Sequence, residues 1–343
     1  MTKTAIILFN LGGPDRPESV EPFLFNLFND PAIISLPNPF RFLVAKLISR
    51  KRAPIAREIY DHLGGGSPLL PNTQAQASAL DAALSDIGEV KSFIAMRYWH
   101  PMTAETVQAV KAFAPDRIVL LPLYPQYSTT TTASSLRLWN KEAEKAGLSV
   151  PTHVIGCYPR SSGYIRSVAE LVRKAYDGMN GPRRVLFSAH GLPKKVVDKG
   201  DPYQWQVERS AEEVVKALNI PDLDWIVCYQ SRVGPLEWIG PSTDAEIQRA
   251  GNDGVGVIVC PIAFVSEHSE TLVEIEMEYR ELAEESGVPA FARVPTPGDH
   301  PLFIDALAKL VREAVLRPVG VDCGEGTRIC PAQFGKCACR QVA

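Results

Sequence analysis

The sequence contains neither a long hydrophobic run nor an excess of charge of one sign. Nowhere do about 18 apolar residues follow one another, so we expect no membrane-spanning helix. Basic and acidic residues number 36 and 39, and the resulting net charge of −3 argues against a dedicated nucleic-acid binder. The apolar stretch Ala5–Leu11 is too short for a secretory signal, and no small-residue cleavage site follows it. We therefore expect a cytoplasmic protein.

The glycine motifs of nucleotide-binding proteins are also missing. Gly12 and Gly13 follow the first apolar run without a third glycine at the dinucleotide-binding spacing. The run Gly64-Gly65-Gly66-Ser67 lacks the lysine of a phosphate-binding loop. Each glycine run fits a tight turn as well as it fits a ligand-binding loop.

What the sequence does contain is a regular alternation of apolar runs and amphipathic segments. With 343 residues and 45% hydrophobic residues, the chain is long enough for about two globular domains. Continuous apolar runs are typical of buried parallel strands, and their alternation with helices predicts a doubly wound α/β architecture. Eight strands are predicted, at 5–11, 93–96, 118–123, 152–155, 185–188, 225–229, 255–260 and 290–294.

Polar side chains suited to catalysis follow the predicted strands. His190 lies at the carboxyl end of the fifth strand, where an imidazole can bind metal or act as a base. After the seventh strand come His268 and Glu270, and a predicted α-helix places Glu270, Glu274 and Glu278 along one face. That row is either a solvated acidic stripe or a set of carboxylates that binds a divalent cation or carries protons.

The loop after the third strand carries a row of hydroxyl groups, from Tyr124 to Thr132, before an amphipathic helix. This pattern fits an ordinary helix cap or a site for a carboxylate or another anion. Aromatic side chains share these loops and would line a flat apolar slot. A planar hydrophobic ligand with a metal-binding centre and peripheral carboxylates needs this combination. The aromatic residues concerned are Tyr60, Trp99, Tyr124, Tyr127, Phe264 and Trp238.

Cysteines crowd the C-terminal end of the chain, at Cys323, Cys330, Cys337 and Cys339. Disulfides are an unusual use for such a group in a cytosolic protein. Thiolate ligation of metal is the remaining interpretation.

Seven motifs in order give the sequence a family resemblance over almost its whole length. The motifs are Leu11-Gly12-Gly13-Pro14, Gly64-Gly65-Gly66-Ser67-Pro68, Arg97-Tyr98-Trp99-His100-Pro101, Leu123-Tyr124-Pro125-Gln126-Tyr127-Ser128, Ser188-Ala189-His190-Gly191-Leu192-Pro193, Tyr229-Gln230-Ser231-Arg232-Val233-Gly234-Pro235 and Phe264-Val265-Ser266-Glu267-His268-Ser269-Glu270-Thr271-Leu272. By these motifs the chain resembles the ferrochelatases, which insert ferrous iron into a porphyrin to make haem.

The resemblance implies an α/β fold of two Rossmann-like, doubly wound domains with parallel four-stranded sheets flanked by helices. The domains are expected at 1–155 and 156–299, with the helix 300–317 joining the first domain and a cysteine-rich tail at 318–343. The implied activity is insertion of ferrous iron into protoporphyrin IX, the terminal step of haem biosynthesis. A coproporphyrin III ferrochelatase and a non-catalytic tetrapyrrole-binding protein are the alternatives.

The resemblance also assigns site residues. His190 and Glu270 match the catalytic and metal-binding pair, and His268 and Glu274 extend a path for metal or protons. Six further residues match positions that contact or flank the porphyrin. These are Leu11, Tyr60, Ser67, Arg97, Tyr124 and Trp238.

A subset of the resembled family carries a 2Fe–2S cluster. By the microbial pattern its ligands here are Cys157, Cys330, Cys337 and Cys339, with Cys323 as the competing fourth ligand and a zinc site as an alternative. The resemblance further implies a homodimer. The segment Phe40–Arg57 mixes apolar and basic residues and is either a surface helix or a lip in peripheral contact with the inner face of the cytoplasmic membrane.

Overall fold

The computed structural model describes residues 2–232, 234, 236–324 and 326–339. The chain divides into two compact units. The first consists of Met1–Tyr124, Ser128–Gly156 and Ala308–Val321, and the second of Pro125–Tyr127, Cys157–Leu307 and Asp322–Ala343.

Parallel strands form the core of each unit. The strands run in chain order as β1 (Lys3–Asn10), β2 (Glu89–Met96), β3 (Arg117–Pro122), β4 (Thr152–Cys157), β5 (Arg183–His190), β6 (Trp225–Gln230), β7 (Gly256–Pro261), β8 (Phe291–Arg293) and β9 (Val321–Cys323). Each of the eight predicted strands is found, because a run that is apolar at every position is buried on both faces of a sheet. In β1, for example, Ala5 to Leu8 are completely buried.

The first sheet has the order β2-β1-β3-β4-β9. Strand β1 pairs in parallel with β2 and β3, with Ile7 opposite Phe93 and Leu120. The sheet has one strand more than predicted, because Val321–Cys323 from the tail adds to its edge beside β4. Three residues among cysteines and glycines give no strand periodicity, so the sequence offered no signal for β9.

The second sheet has the order β6-β5-β7-β8 and is four-stranded as predicted. Strand β5 pairs in parallel with β6 and β7, so Ala189 lies opposite Tyr229 and His190 opposite Gln230. The carboxyl ends of these strands therefore bring His190 and Gln230 together. The predicted α/β class with two parallel sheets is confirmed.

Helices connect the strands and pack apolar stripes on the sheets. The α-helices are α1 (Val20–Phe28), α2 (Phe40–Asp61), α3 (Leu69–Ala83), α4 (Thr103–Phe113), α5 (Thr132–Ala146), α6 (Ser162–Asp177), α7 (Lys194–Asp198), α8 (Tyr203–Leu218), α9 (Thr243–Asp253), α10 (Tyr279–Glu285) and α11 (Pro301–Ala314). Within the described part of the chain, none of these helices combines the length and the apolar character that a bilayer crossing requires.

The helix that begins at Glu270 does not have the predicted α-helical geometry. Residues Glu270–Glu278 form a π-helix that continues into α10. The wider turn changes which side chains share a face, and π-helical turns occur frequently at functional sites. Hydrophobic periodicity does not distinguish this geometry from an α-helix, so the sequence could not predict it.

Candidate active site

His190 ends β5 and stands at the edge of the second sheet. Its side chain is half-exposed, and Nδ1 lies 3.0 Å from Oε2 of Glu270. The next residue, Gly191, has little room for a side chain. A Cβ atom there would lie 3.0 Å from the carbonyl oxygen of Gln230 and 3.2 Å from the ring of Trp238. The tight turn thus presents the imidazole beside the π-helix and brings Trp238 next to the same loop.

Glu270 is the first residue of the π-helix and is shared by two histidines. Besides His190, Nε2 of His268 lies 3.8 Å from its Oε2. Burial by itself would raise the pKa of Glu270, but the positive charge and hydrogen bond of His190 outweigh it and hold the pKa well below the usual range. Burial likewise opposes protonation of His190, yet the Glu270 carboxylate raises the pKa of His190 above its ordinary value. Each side chain therefore favours the charged form of the other, and a proton taken up by His190 is stabilised by the Glu270 carboxylate.

Glu274 lies one turn further along the π-helix in a dense set of hydrogen bonds. Its carboxylate accepts from Nε2 of Gln230 at 3.0 Å, from the backbone N–H and hydroxyl of Ser231 at 2.8 and 2.6 Å, and from the hydroxyl of Tyr279 at 3.1 Å. Burial and the neighbouring charge of Glu270 raise its pKa despite the hydrogen bonds from Ser231 and Gln230. A carboxyl whose pKa is raised takes up a proton more readily than an ordinary glutamate.

Ser231 was not among the predicted site residues. It adopts a left-handed backbone conformation, with φ of 61°, which is uncommon for a residue other than glycine. This conformation directs both its N–H and its hydroxyl at Glu274. The signal in the sequence was its place directly after β6, at the carboxyl edge where ligands bind in α/β sheets.

The third carboxylate of the predicted row does not join this group. Glu278 is exposed, whereas Glu270 and Glu274 are half-buried in the hydrogen-bonded set. Glu276 instead pairs with Arg280 and Arg293. For Glu278 the structure favours the interpretation as a solvated acidic residue, because its side chain is exposed and lies outside this hydrogen-bonded set.

In the first unit, Arg97 forms a buried polar cluster at the end of β2. Its Nη2 donates to Asp30 Oδ2 at 2.7 Å, and its Nε donates to the Ser134 hydroxyl at 2.8 Å. Asp30 also accepts hydrogen bonds from the hydroxyls of Tyr98 and Ser134, at 2.8 and 2.6 Å. Desolvation alone would raise the pKa of Asp30, but these donors and the Arg97 charge lower it. The sequence analysis missed Asp30, which is distant along the chain from its partners.

The other predicted porphyrin-flanking residues of the first unit also lie near one another. A Cβ atom on Gly13 would lie 2.5 Å from the Cβ of Ser67 and 4.0 Å from the Tyr60 hydroxyl, so these three residues meet closely. Leu11 packs on the core that holds Tyr60, and it also packs on the core that holds Tyr124. The loop after β1 and the segment from α2 to α3 therefore bring Gly13, Ser67 and Tyr60 together, and Leu11 packs on the core that contains Tyr60.

Five cysteines form a buried cluster in the second unit. The Sγ atoms of Cys323, Cys337 and Cys339 all lie within 4.8 Å of one another. Cys157 is hydrogen-bonded to Cys323 and Cys339, and Cys330 to Cys337. The structure thus brings together all four predicted cluster ligands and Cys323 as well.

The thiols of this cluster are not equivalent. Hydrogen bonds from neighbouring thiols lower the pKa of Cys157 and of Cys337, and the donors Cys323, Cys330 and Cys339 have raised pKa values. All seven cysteines of the chain are free. Cys228 and Cys260 lie in β6 and β7, away from this cluster, and burial raises the pKa of both thiols.

Comparison with known proteins agrees with the geometry. The ferrochelatase family model matches residues 3–315. Ferrochelatase from Caulobacter vibrioides (strain NA1000 / CB15N) is 55% identical over 347 residues, which cover 99% of both chains. Ferrochelatase from Phenylobacterium zucineum (strain HLK1) is 53% identical over 345 residues and 98% of both chains. The solved structure of SirB from Bacillus subtilis with Fe3+ shares the fold, with a TM-score of 0.54 at 15% identity, covering 92% of this chain and 96% of that one.

The family model and these relatives span nearly the whole chain at high identity, and the strand-end residues that carried the resemblance meet in the folded units. The chain belongs to the ferrochelatase family.

Proposed function

We propose that this chain inserts ferrous iron into protoporphyrin IX to form protohaem. The activity of the family, iron insertion into a porphyrin as part of haem synthesis, is supported by the family match and by the relatives. The observation that carries the site assignment is the His190–Glu270 pair at 3.0 Å, with His268 and Glu274 adjoining it. Metal insertion needs groups that bind a cation and groups that remove protons, and this set can do both.

The reaction requires two pyrrole N–H protons to leave while iron exchanges water for ring nitrogens. Since Nδ1 of His190 is bound to Glu270, Nε2 is the ring nitrogen that remains to meet the substrate. We assign His190 as the acceptor of pyrrole protons, with Glu270 stabilising the resulting imidazolium. Glu274, whose pKa is raised, takes the proton onward, and Ser231 and Tyr279 hold its carboxyl in place.

The porphyrin ring must also be distorted so that its nitrogen lone pairs face the iron. We propose, as the resemblance implies, that Leu11, Tyr60, Ser67, Arg97, Tyr124 and Trp238 are porphyrin-contacting residues. Walls that fit a buckled ring better than a flat one lower the barrier, because only differential binding of the strained form accelerates the step. In support, Arg97 supplies a fixed cation within the first unit, held by Asp30 and Ser134.

The test is anaerobic turnover of purified protein with ferrous iron and either protoporphyrin IX or coproporphyrin III, followed by the loss of porphyrin fluorescence. His190→Ala and Glu270→Ala are expected to abolish turnover, whereas the exposed residues His62 and Glu278 provide matched controls as His62→Ala and Glu278→Gln. A preference for coproporphyrin III would overturn the substrate assignment. Tight porphyrin binding without turnover by the wild type would instead indicate a tetrapyrrole carrier.

We further propose that the cysteine cluster holds a 2Fe–2S cluster through Cys157, Cys330, Cys337 and Cys339. Such clusters take four thiolates, and the structure supplies five buried cysteines, each in contact with at least one other cysteine of the group. When bound, the group would add a one-electron redox centre and would fasten the tail to the second unit. Cys323, which adjoins Cys337 and Cys339, remains the competing fourth ligand.

Iron and sulfide analysis of anaerobically purified variants tests this assignment. Cys157→Ser is expected to lose the cluster absorption, while Cys323→Ser retains it and Cys228→Ser serves as the control outside the cluster. Retention by Cys157→Ser together with loss by Cys323→Ser would show that Cys323 replaces Cys157 as the fourth ligand. Zinc in place of iron in the wild type would refute the 2Fe–2S proposal.

A peripheral membrane contact is proposed for the first half of helix α2. Phe40, Leu43 and Leu47 are 63%, 60% and 70% exposed, which is unusual for side chains of this size. Basic residues share the helix, namely Arg41, Lys46, Arg50, Lys51 and Arg52. Exposed apolar and basic groups on one helix favour an anionic lipid surface. The protein should sediment with anionic but not zwitterionic vesicles, and Leu43→Glu/Leu47→Glu should abolish this binding.

A further inference from the structure

Gln206 is a completely buried polar residue that no motif singled out. It lies in the first turn of α8, and its side-chain amide points into the cysteine cluster. Nε2 is 3.0 Å from the Sγ of Cys330 and 3.5 Å from the Sγ of Cys157, and both contacts have hydrogen-bond geometry. The N–H groups of a buried amide need hydrogen-bond acceptors, and the acceptors of Gln206 are these two sulfurs.

The other end of the same amide binds the hydroxyl-rich loop. Oε1 of Gln206 accepts a hydrogen bond from the backbone N–H of Tyr127 at 2.7 Å. The next residue back, Gln126, is hydrogen-bonded through Nε2 to the hydroxyl of Ser210, which lies one turn after Gln206 on α8. Helix α8 thus contacts Gln126 and Tyr127 of this loop through Ser210 and Gln206. Gln206 also contacts the sulfurs of Cys157 and Cys330.

The start of α8 also anchors the tail that carries the cysteines. The ring of Trp205 packs on that of Phe334, with centroids 6.0 Å apart. The backbone N–H of Lys336 donates to the carbonyl of Gly200 at 3.1 Å. Tail and helix therefore form a continuous packed region around Gln206.

The same helical turn reaches the catalytic histidine. Tyr203 lies three residues before Gln206, and its hydroxyl is hydrogen-bonded to the backbone of His190. Residues three apart lie on one side of an α-helix. The first turn of α8 consequently contacts both the cysteine cluster and the strand end that carries His190.

We propose that Gln206 is a positioning residue, which donates hydrogen bonds from its side-chain amide to the sulfurs of Cys157 and Cys330 and thereby couples the cluster to the loop at Tyr127. This inference rests on the proposed 2Fe–2S cluster. An N–H donor stabilises negative charge on a ligating sulfur, and the reduced cluster carries the greater negative charge. Gln206 therefore raises the reduction potential and slows loss of the cluster.

Two substitutions separate the donor from the rest of the side chain. Gln206→Leu removes both polar ends and keeps similar bulk. Gln206→Glu keeps an oxygen for the N–H of Tyr127 but places a carboxylate beside the sulfurs. Gln204→Leu is the matched control, because Gln204 is on the same turn of the helix but bonds to Glu208.

The readouts are the midpoint potential of the cluster, from an anaerobic dye-mediated titration followed by visible absorption, and its half-life in the presence of a chelator. We expect the potential to fall in the order wild type, Gln206→Leu, Gln206→Glu, and the half-life to shorten severalfold in both. Gln204→Leu should match the wild type. A potential unchanged in both Gln206 variants would overturn the inference while leaving the cluster itself intact.

A measurement on the wild type guards against variants that fail to fold. Protein containing glutamine labelled with nitrogen-15 in the side chain is reduced and studied by pulsed electron paramagnetic resonance. A hyperfine coupling from the amide nitrogen is expected, and its absence would refute the hydrogen bond. A wild type that contains no iron and sulfide would refute the cofactor proposal and this inference with it, a result distinct from an unaltered potential.

Discussion

Replacement of Glu270 by glutamine tests the catalytic pair most sharply. The introduced amide would still offer an oxygen to Nδ1 of His190, so the change removes the negative charge and little else. Two unit charges 3.0 Å apart interact by about 5 kcal/mol at an effective dielectric constant of about 20. The His190 side chain is 40% exposed, and solvent screens much of this interaction.

The magnitude left after screening is that of a hydrogen bond to a charged group, about 1.5–3 kcal/mol. If this energy stabilises the imidazolium that forms as pyrrole protons leave, kcat falls about 10- to 150-fold. The KM for the porphyrin should change little, because the residues proposed to contact the ring are others.

Initial rates under anaerobic conditions, with iron and porphyrin varied separately, measure these quantities. Glu278→Gln is the control, since Glu278 belongs to the same π-helix but is exposed. If Glu270→Gln keeps a kcat within about threefold of the wild type, the carboxylate does not support the protonated histidine and the proposed role of Glu270 is refuted.

Three further outcomes follow from the structure. Activity should fall at acid pH as His190 and Glu274, whose pKa values are both raised, become protonated and can no longer accept a proton. Glu274→Gln should lower the plateau of the pH–rate profile at least about tenfold while the acid limb produced by His190 remains, and an unchanged plateau would contradict the proposed role of Glu274. Asp30→Asn should lower the free energy of unfolding, measured in urea, by about 3–5 kcal/mol, because the buried Arg97 loses its charged partner. This difference from the wild type should shrink as the pH falls through the lowered pKa of Asp30, and a difference below about 1 kcal/mol at neutral pH would contradict the ion-pair argument. Gly13→Ala should cost about 1–3 kcal/mol in the same assay, since its Cβ would lie 2.5 Å from that of Ser67, and Ser67→Gly should restore the loss; a double variant no better than Gly13→Ala would exclude this clash as the cause.

Much of the fold could be predicted because its signals are local. The continuous apolar runs of β1, β3 and β7 have no polar face, so burial in a parallel sheet is their stable arrangement. Once the strands are identified, the residues that directly follow each strand are known from the sequence. Because ligands bind at those strand ends, His190 and Glu270 could be selected before any contact was known.

Other features could not be predicted from the sequence. The π-helix at Glu270–Glu278 has the apolar spacing of an ordinary helix, and β9 is too short to show a period. Asp30 and Gln206 are ordinary polar residues in the sequence. Their importance lies in partners far away along the chain, Arg97 for one and the sulfurs of Cys157 and Cys330 for the other.

The sequence by itself determined the α/β class, the strands and the family, and it supplied the candidate site residues, because periodicity and motif spacing are properties of neighbouring residues. Only the tertiary structure decided that Glu270–Glu278 forms a π-helix, that Cys323 contacts Cys157, Cys337 and Cys339, and that Ser231 and Gln206 bind Glu274 and the sulfurs. Burial, charge proximity and hydrogen bonding depend on distances through space, which the chain acquires only when it folds.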